Sequence, residues 1–287
     1  MSPDLLRQEF LSAVRIALAE DLGSGDATTL ATVPAHLRAR AELATRENCV
    51  VAGLAAAEFA FRELDPSCRF DILHPDGSFC SAGDVVAVIE GDARSLLSAE
   101  RVALNFVQRL SGIATLTARF VEQTDGHRCR ILDTRKTTPG LRALEKYAVT
   151  CGGGDNHRMG LYDRLMIKDN HRELASLAGP GGIARSVRAA REAYPQLQVE
   201  VEADTLEDVR EAVEARADFI LLDNMSNDEM AEAVRLVGQR ALLEASGNMK
   251  LERIASVAAL GIDFISVGAL THSARAIDLG LDIRIKN

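Results

Sequence analysis

Residues 197–248 read LQVEVEADTLEDVREAVEARADFILLDNMSNDEMAEAVRLVGQRALLEASGN. This stretch alternates between short runs rich in Val, Ile and Leu and longer runs with helical spacing of the apolar residues. Repetition of a strand followed by a helix is typical of a parallel sheet covered by helices. No G-x-G-x-x-G motif follows a strand, so the stretch lacks a dinucleotide-binding fingerprint. The pattern favours a β/α barrel.

The same alternation continues on both sides of this stretch. The candidate strands are Cys129–Thr134, Arg164–Lys168, Leu197–Glu202, Phe219–Asp223, Ala241–Ser246 and Phe264–Gly268. The helical patterns that follow most of them are Pro139–Val149, Ile183–Ala193, Leu206–Ala215, Asp228–Val237 and Leu251–Leu260. A complete barrel of this kind has eight units. We therefore expect an α/β fold with a small or open six-stranded barrel.

The organisation changes near residue 110. Before that point the pattern is α+β, with helices at Leu5–Ala19 and Leu54–Arg62 and several short strands. A long helix from about Glu100 to Phe120 follows, and no linker rich in Pro, Gly or Ser precedes the barrel pattern. We therefore expect two domains that are connected through this helix.

The overall charge excludes several kinds of partner. The chain has 287 residues and a formal net charge of −9. Because nucleic acids and anionic membranes bind broad positive surfaces, neither is an expected partner. The first residues do not resemble a signal peptide, and no uncharged stretch is long enough to span a membrane. The five cysteines form no C-x-x-C motif. These features predict a cytoplasmic protein that binds small molecules.

One segment carries most of the positive charge. Residues 127–172 contain ten Lys and Arg against five Asp and Glu, so the segment is +5 and the remainder of the chain is −14. A charged run alone is usually a solvated surface. Here, however, the cations follow the first two barrel strands, where the carboxyl ends of strands meet and β/α barrels place their active sites.

The strand ends differ in the chemistry they offer. The first two supply cations, the next two supply carboxylates, and the last two supply small loops before helices. Guanidinium groups bind carboxylates or phosphates, carboxylates bind sugar hydroxyls or a metal, and backbone N–H groups at helix starts favour a phosphate. The implied ligand is a phosphorylated ribose with a pyrophosphate group, beside an anionic acid.

Long motifs then indicate a family. The runs DTRKTTPGLRALEKYAV (133–149) and CGGGDNHRMGLYDRLMIKDNH (151–171) resemble the quinolinate phosphoribosyltransferase family, also called carboxylating nicotinate-nucleotide pyrophosphorylase, of the type II phosphoribosyltransferase fold. Similar motifs extend from ALAEDLGSGDATT (17–29) to SVGALTHSARAIDLGLDI (266–283). The resemblance therefore covers nearly the whole chain in the expected order.

The resemblance implies an architecture and an activity. It implies an N-terminal α/β sandwich domain, 1–110, completed by 271–287, and an open six-stranded β/α barrel over 111–270. The implied reaction transfers phosphoribosyl from 5-phosphoribosyl-1-pyrophosphate to quinolinate, with Mg²⁺ as cofactor, and yields nicotinate mononucleotide, pyrophosphate and CO₂ in NAD biosynthesis. A homodimer with shared active sites is also implied.

The resemblance also assigns roles to residues. It implies catalytic roles for Lys136, Lys168, Glu202 and Asp223. Glu202 and Asp223 would also lie near the magnesium, which the pyrophosphate mainly binds. The implied substrate-binding residues are Arg101 of the neighbouring subunit, Thr134, Arg135, Lys136, His157, Arg158, Lys168, Glu202, Asp223, Ser246, Gly247, Asn248, Ser266 and Gly268.

Other interpretations of the same residues remain open. Lys168 near a barrel strand end also suits a Schiff-base aldolase, and a sister pyrophosphorylase would use another ring acid. A ligand-sensing relative without catalysis is a third class. His157 and His171 are unpromising metal ligands at their spacing, and Cys151 has no evident activating partner. The expected alternative for Glu200 and Glu244 is a structural role inside the barrel.

Overall fold

The computed structural model describes residues 2–176 and 181–285. The chain forms two compact units. The first unit contains Met1–Ala118, Thr137–Gly153 and Ala269–Asn287, and the second contains Arg119–Lys136 and Gly154–Gly268. Parts of the predicted domains at residues 1, 177–180 and 286–287 lie outside the described residues.

The helices and strands of the described residues are numbered in chain order. The helices are α1 (Pro3–Leu22), α2 (Ala27–Thr32), α3 (Leu54–Leu64), α4 (Ala93–Glu122), α5 (Arg142–Cys151), α6 (Asp169–Ser176), α7 (Gly182–Ala193), α8 (Leu206–Glu214), α9 (Asn227–Val237), α10 (Leu251–Ala258) and α11 (Ala269–His272). The strands are β1 (Arg38–Thr45), β2 (Cys49–Val50), β3 (Arg69–Ile72), β4 (Phe79–Cys80), β5 (Val85–Asp92), β6 (Arg130–Leu132), β7 (Leu165–Ile167), β8 (Val199–Ala203), β9 (Phe219–Asp223), β10 (Leu242–Ser246), β11 (Phe264–Ser266) and β12 (Leu279–Ile285). None of the described helices combines the length and apolar character that a membrane crossing requires.

The first unit is built on an antiparallel sheet. Its strand order is β12-β1-β5-β3, and β1 pairs with β12 at one edge, for example Leu43 with Leu281. Side chains of β1 alternate between buried and more exposed positions, as expected for a sheet with one face in a core. The C-terminal segment is therefore an integral part of the N-terminal sheet.

The second unit contains a parallel sheet of order β6-β11-β10-β9-β8-β7. Among the described residues no pairing joins its edge strands β6 and β7, so the barrel is open. Strand β8 is buried at every position, which is typical of parallel strands covered on both faces. The predicted fold class, an open six-stranded β/α barrel with a separate N-terminal α/β domain, is confirmed.

Helix caps fix where two of the strand ends turn into helices. The Thr205 hydroxyl accepts the N–H of Asp208, whose carboxylate accepts the N–H of Thr205. Ser226 and Glu229 form the same capping box at the start of α9. Each box satisfies N–H groups that a helix start leaves unpaired. Hydrogen bonds between residues close in sequence therefore fix the short turns after β8 and β9. These turns in turn position the ends of the two strands.

The compact units differ from the predicted domain limits in three places. Helix α4 continues from Ala93 to Glu122, so the chain has no break at residue 110. Residues 111–118, 137–153 and 269–270 belong to the first unit by their contacts, although we predicted them within the barrel domain. Helix α5 is part of the first unit, where it contacts α1 and α11. The predicted domain limits themselves stay a prediction.

Candidate active site

The carboxyl ends of the barrel strands surround a cavity of about 440 Å³ within the second unit. Its lining residues are Thr134, Arg135, Lys136, His157, Arg158, Met166, Lys168, Glu202, Leu221, Asp223, Glu244, Ser246 and Ser266. These residues come from or directly follow strands β6 to β11 or lie in the loop before β7. The cavity therefore occupies the edge of the sheet that we predicted for the site.

The loop that carries His157 and Arg158 is attached to the end of β6. Asp133 is fully buried there, and its Oδ1 accepts the backbone N–H of His157 at 2.8 Å. The backbone N–H of Asp133 donates in turn to the carbonyl of Asp155 at 3.1 Å. The loop thus continues the edge of the parallel sheet and points its two basic residues into the cavity.

Two guanidinium groups form the cationic side of the cavity. Burial lowers the pKa of Arg158, and the positive charge of Arg135 lowers it further. Arg158 donates from Nη1 to the carbonyl of Arg164 at 3.1 Å, which orients its planar group. The Nε of Arg135 is buried and has no hydrogen-bond partner among the described residues. An anion between the two arginines would offset their repulsion and satisfy this donor.

Carboxylates also line the cavity. Glu202 and Lys168 make an ion pair. Burial raises the pKa of Asp223, and the negative charges of Glu202 and Asp204 raise it further. The positive charges of Lys168 and Lys136 lower this pKa, but by less. Closely spaced carboxylates of this kind suit sugar hydroxyls or a hard cation such as Mg²⁺, because both interactions relieve the repulsion between oxygens.

The loop after β10 packs closely against the turn after β9. Gly247 has φ +87° and Asn248 has φ +48°, so both adopt the left-handed conformation. A Cβ on Gly247 would lie 2.7 Å from the backbone nitrogen of Asn224 and would also overlap its Oδ1. Asn224 donates from Nδ2 to Asp223 at 2.7 Å. Glycine is therefore required where this loop approaches the carboxylate-bearing turn.

A buried cluster of His157, Glu200 and Glu244 lies beneath the cations. The Nε2 of His157 is 3.2 Å from Glu200 Oε2 and 3.3 Å from Glu244 Oε2. Both glutamates are fully buried. Among the described residues, this is the group of His, Cys, Asp and Glu side chains whose atoms are close enough to hold a metal. From the sequence, we expected only a structural role for these glutamates.

The structure brings together most of the predicted site residues. Those that line the cavity are Thr134, Arg135, Lys136, His157, Arg158, Lys168, Glu202, Asp223, Ser246 and Ser266. Gly247 and Asn248 follow Ser246 directly, and Gly268 lies two residues after Ser266. Arg101 is exposed on α4 in the first unit and does not line this cavity.

Three lining residues were missed by sequence reasoning. Met166, Leu221 and Glu244 line the cavity from inside their strands rather than at the strand ends. Leu221 pairs with both Glu202 and Glu244 in the sheet, which places the three at one level of the barrel. Along β8 to β10, every second side chain points into the barrel. This alternation identifies such positions once the strand limits are known.

A wider groove of about 1000 Å³ lies at the other end of the same strands. Phe219 and Leu242, which begin β9 and β10, line it. Its arginines include Arg128, which pairs with Asp263. Barrel chemistry is located at the carboxyl ends of strands. The smaller cavity is therefore the candidate active site.

Two open interpretations lose support. His171 is not part of the group of described side chains that are close enough to hold a metal, and its Nδ1 accepts the backbone N–H of Lys168 at 3.0 Å. Burial raises the pKa of Cys151 to about 12, and the charge of Asp76 adds to this effect. A thiol in that environment is not an activated nucleophile.

Comparisons with known proteins agree with this geometry. The family model described as "Quinolinate phosphoribosyl transferase, N-terminal domain" matches residues 26–111, and the model of the C-terminal domain of the same family matches residues 113–282. A probable nicotinate-nucleotide pyrophosphorylase (carboxylating) of Synechocystis is 45% identical over 270 residues, which are 93% of this chain and 90% of the relative. A probable enzyme of the same name from Bacillus subtilis is 42% identical over 93% of this chain and 91% of its own length.

A solved structure supports the same assignment. The nicotinate-nucleotide pyrophosphorylase from Francisella tularensis superimposes with a TM-score of 0.91 at 38% identity and covers 99% of this chain and 98% of its own. The family and enzyme class predicted from the sequence motifs, a phosphoribosyltransferase, are thereby confirmed. The chain belongs to the quinolinate phosphoribosyl transferase family.

Proposed function

We propose that the chain transfers phosphoribosyl from 5-phosphoribosyl-1-pyrophosphate to quinolinate with loss of CO₂, forming nicotinate mononucleotide and pyrophosphate in NAD biosynthesis. The observation that carries this proposal is the shared cavity of Arg135, Arg158 and Lys168, which faces Glu202 and Asp223. One side fits a small dianion and the other fits an activated sugar.

The cations bind the two carboxylates of the ring acid. Arg135 and Arg158 repel each other in the free protein, so a dianion is favoured over a singly charged acid. Lys168 and His157 complete this part of the pocket, and Arg101 of a partner subunit contributes a further cation. Lys136 and Thr134 lie beside the leaving pyrophosphate. The preference for a dicarboxylate distinguishes this proposal from a sister enzyme that uses another ring acid.

The remaining groups bind the sugar. Glu202 and Asp223 receive the ribose hydroxyls, and their carboxylate oxygens would hold Mg²⁺ in this part of the site. The ion would supply neutralisation of the negative charge on the pyrophosphate. The 5-phosphate lies on the loops of Ser246, Gly247, Asn248, Ser266 and Gly268, because closely approaching backbone N–H groups favour an anion.

Catalysis then depends on positioning and electrostatics. The pyridine nitrogen attacks the anomeric carbon while the bond from that carbon to the pyrophosphate oxygen breaks, and the carboxylates Glu202 and Asp223 offset positive charge on the sugar. The ring becomes cationic, and its positive nitrogen stabilises the electron pair that stays on C2 when the 2-carboxylate leaves as CO₂. A proton from water then adds to C2 and completes the product. No side chain acts as a nucleophile. The tight cation cluster retains the other carboxylate during this step.

The test is a direct assay. Purified protein is mixed with quinolinate, phosphoribosyl pyrophosphate and Mg²⁺, and nicotinate mononucleotide and CO₂ are measured. Replacement of quinolinate by nicotinate tests the sister activity. Trapping with borohydride and a keto substrate tests the aldolase alternative at Lys168. Three results would each contradict the proposal. The protein releases pyrophosphate with nicotinate but not with quinolinate, it forms a borohydride-trapped adduct with the keto substrate, or it binds the substrates without turnover.

We further propose a homodimer and a cytoplasmic location. The exposed side chain of Arg101 is available to a second copy of the chain, and the five free cysteines suit a reducing compartment. A mixture of Arg101→Ala and Arg158→Ala proteins tests the dimer. Hybrid dimers would contain one intact pocket and regain partial activity, whereas independent pockets would show no rescue.

A further inference from the structure

The chain passes from the second unit to the first at two points, after Lys136 and after Gly268. Lys136 lines the candidate active site, and Gly268 lies two residues after Ser266, which lines it too. The proposed function puts the leaving pyrophosphate beside Lys136 and the 5-phosphate on the loop of Gly268. The contacts that hold the chain just beyond these two residues therefore affect the binding of both charged ends of phosphoribosyl pyrophosphate.

Beyond Lys136, the chain is held by side chains of α5. Glu145 is fully buried, and its Oε2 accepts the backbone N–H of Thr138 at 3.1 Å. Its Oε1 accepts the Thr138 hydroxyl at 2.8 Å. Arg142, on the same helix, donates from Nε to the Thr137 hydroxyl at 3.1 Å. The turn that directly follows Lys136 is therefore tied to α5, with one buried carboxylate as the acceptor of two of its donors.

Beyond Gly268, the chain is held by a guanidinium group of α4. Arg109 donates from Nη1 to the carbonyl of Ala274 at 2.7 Å and from Nη2 to the carbonyl of Thr271. Thr271 belongs to α11, which begins directly after Gly268. The last carbonyls of a helix have no partner within it, and a basic side chain can satisfy them. Arg109 therefore fixes the end of this short helix and the chain beyond it.

Arg109 and Glu145 also bind each other. Nη2 and Nε of Arg109 lie 2.8 Å and 3.2 Å from Glu145 Oε1. The arginine side chain is 28% exposed and the glutamate fully buried, so solvent screens this ion pair less than one at the surface. A buried charge needs a well-placed partner. The turn after Lys136 and the segment after Gly268 are therefore held by one connected group of contacts.

We propose that Arg109 and Glu145 are positioning residues that hold Lys136 and the loop of Gly268 at the separation of the pyrophosphate and the 5-phosphate. Neither lines the candidate active site, so they act through the chain. Strand β6, which leads to Lys136, pairs with β11, which leads to Gly268. The sheet fixes both segments before the site, and the ion pair fixes them after it. This inference rests on the proposed function in that it uses the places given there to the two anionic groups.

Substitution of Thr138 tests the contact beyond Lys136 without removing either charge of the ion pair. Thr138 is exposed, and Thr138→Val keeps the shape of the side chain but removes the hydroxyl that Glu145 accepts. We expect Kd for inorganic pyrophosphate with Mg²⁺, measured by calorimetry, to rise about fivefold or more, because the turn loses a hydrogen bond to a charged group. Thr138→Ser keeps the hydroxyl and should bind pyrophosphate as the wild type does. A wild-type Kd in Thr138→Val would overturn the proposal.

Binding of a dicarboxylate shows whether the effect is confined to Lys136. Benzene-1,2-dicarboxylate has the two carboxylates of the ring acid but not its reacting nitrogen. We expect its Kd in Thr138→Val to change by less than about twofold, since Asp133 holds the loop with Arg158 through a separate contact. Equal losses for pyrophosphate and the dicarboxylate would contradict a positioning role for Lys136.

Thr150→Val is the matched control. Thr150 is also exposed and lies on α5, but its hydroxyl donates to the carbonyl of Tyr147 in the same helix. Both affinities should be unchanged in this variant. The same loss of pyrophosphate binding in Thr150→Val and Thr138→Val would count against the contact with Glu145.

Arg109→Lys tests the contacts beyond Gly268. Lysine keeps the positive charge beside Glu145 but lacks the planar group that reaches the carbonyls of Thr271 and Ala274. We expect Kd for ribose 5-phosphate to rise about fivefold or more. Arg15→Lys, in an exposed ion pair of α1, is the control and should leave this Kd unchanged. A lower Tm of Arg109→Lys without a change in Kd would mean that Arg109 only stabilises the fold, and would overturn the proposal.

These affinities are measured without turnover, so they separate this proposal from the proposed function. If the wild-type protein binds both anions but makes no nicotinate mononucleotide, the proposed function fails. The effects of Thr138→Val and Arg109→Lys on binding still decide the positioning roles. A wild-type protein that binds neither pyrophosphate nor ribose 5-phosphate would overturn the positioning proposal itself.

Discussion

The positive charge of Arg135 lowers the pKa of Arg158, in addition to the effect of burial. The two residues are 23 positions apart in the sequence, yet both line one cavity, because β6 ends before Arg135 and the loop with Arg158 is attached to the same strand end. Repulsion between them costs stability in the free protein. A bound dicarboxylate relieves this repulsion more than a singly charged acid does, so the site favours the dicarboxylate.

Replacement of Arg158 by glutamine should therefore weaken binding of a ring dicarboxylate. Loss of a bidentate guanidinium pair costs about 3 kcal/mol, or about 100-fold in Kd. Benzene-1,2-dicarboxylate is a suitable probe, since it lacks the reacting nitrogen, and calorimetry gives its Kd without turnover. Arg128→Gln is the control, because Arg128 pairs with Asp263 outside the cavity. Equal affinity of the two variants would contradict the placement of the acid beside Arg158.

Replacement of Gly247 by alanine should impair the phosphate loop. Its φ of +87° strains any side chain, and a Cβ would also meet Asn224. We expect a loss of about 1–3 kcal/mol in unfolding free energy and a higher KM for phosphoribosyl pyrophosphate. Gly238→Ala separates the two effects, since Gly238 has φ +60° but a Cβ there would have no atom within 4 Å. If both variants keep the same KM, close packing of this loop has no role in phosphate binding.

The sequence predicts the strands of the barrel well because burial on both faces leaves continuous apolar runs. Phe219–Asp223 has the predicted limits, and the other barrel strands differ from prediction by at most two residues at either end. Helix α6 was missed because the residues that begin it, Asp169 to Ala175, are mostly exposed and carry little apolar periodicity. Polar helices are held by their contacts with neighbours, which local sequence does not reveal.

The site residues at the strand ends could be predicted from the sequence, but those inside the strands could not. Residues such as Arg135, Lys168 and Asp223 follow or end strands, and parallel strands bring their ends together. Glu244 lies within β10, where the sequence pattern shows only a polar residue in an apolar run. Its contact with His157 depends on the packing of a loop 87 residues away, which spacing alone does not define.

An ion pair with the C-terminal segment should make stability depend on pH. Hydrogen bonds from Arg275 and from the Asp278 N–H lower the pKa of Glu47 to about 2. A lowered pKa stabilises the fold above the ordinary value of 4.5, and this contribution is lost as the pH falls towards 2. Because the pair is partly exposed, we expect Glu47→Gln to lower Tm by only about 1–3 °C at pH 7. Scanning calorimetry from pH 7 to pH 3 should show this difference shrinking below pH 4.5, and a difference that is constant with pH would contradict the assignment.

Replacement of Gly112 by alanine should destabilise the first unit, although alanine normally stabilises a helix by about 1 kcal/mol over glycine. Gly112 lies within α4, and a Cβ there would lie 3.0 Å from the carbonyl carbon of Arg275 and would overlap its oxygen. Backbone cannot move aside as a flexible side chain can, so we expect a loss of about 1–3 kcal/mol in unfolding free energy. Asn105→Ala, at an exposed position of the same helix, is the control and should be neutral or stabilising. Denaturant unfolding measures both variants. A Gly112→Ala protein as stable as the control would show that the C-terminal segment does not pack against α4 at this glycine.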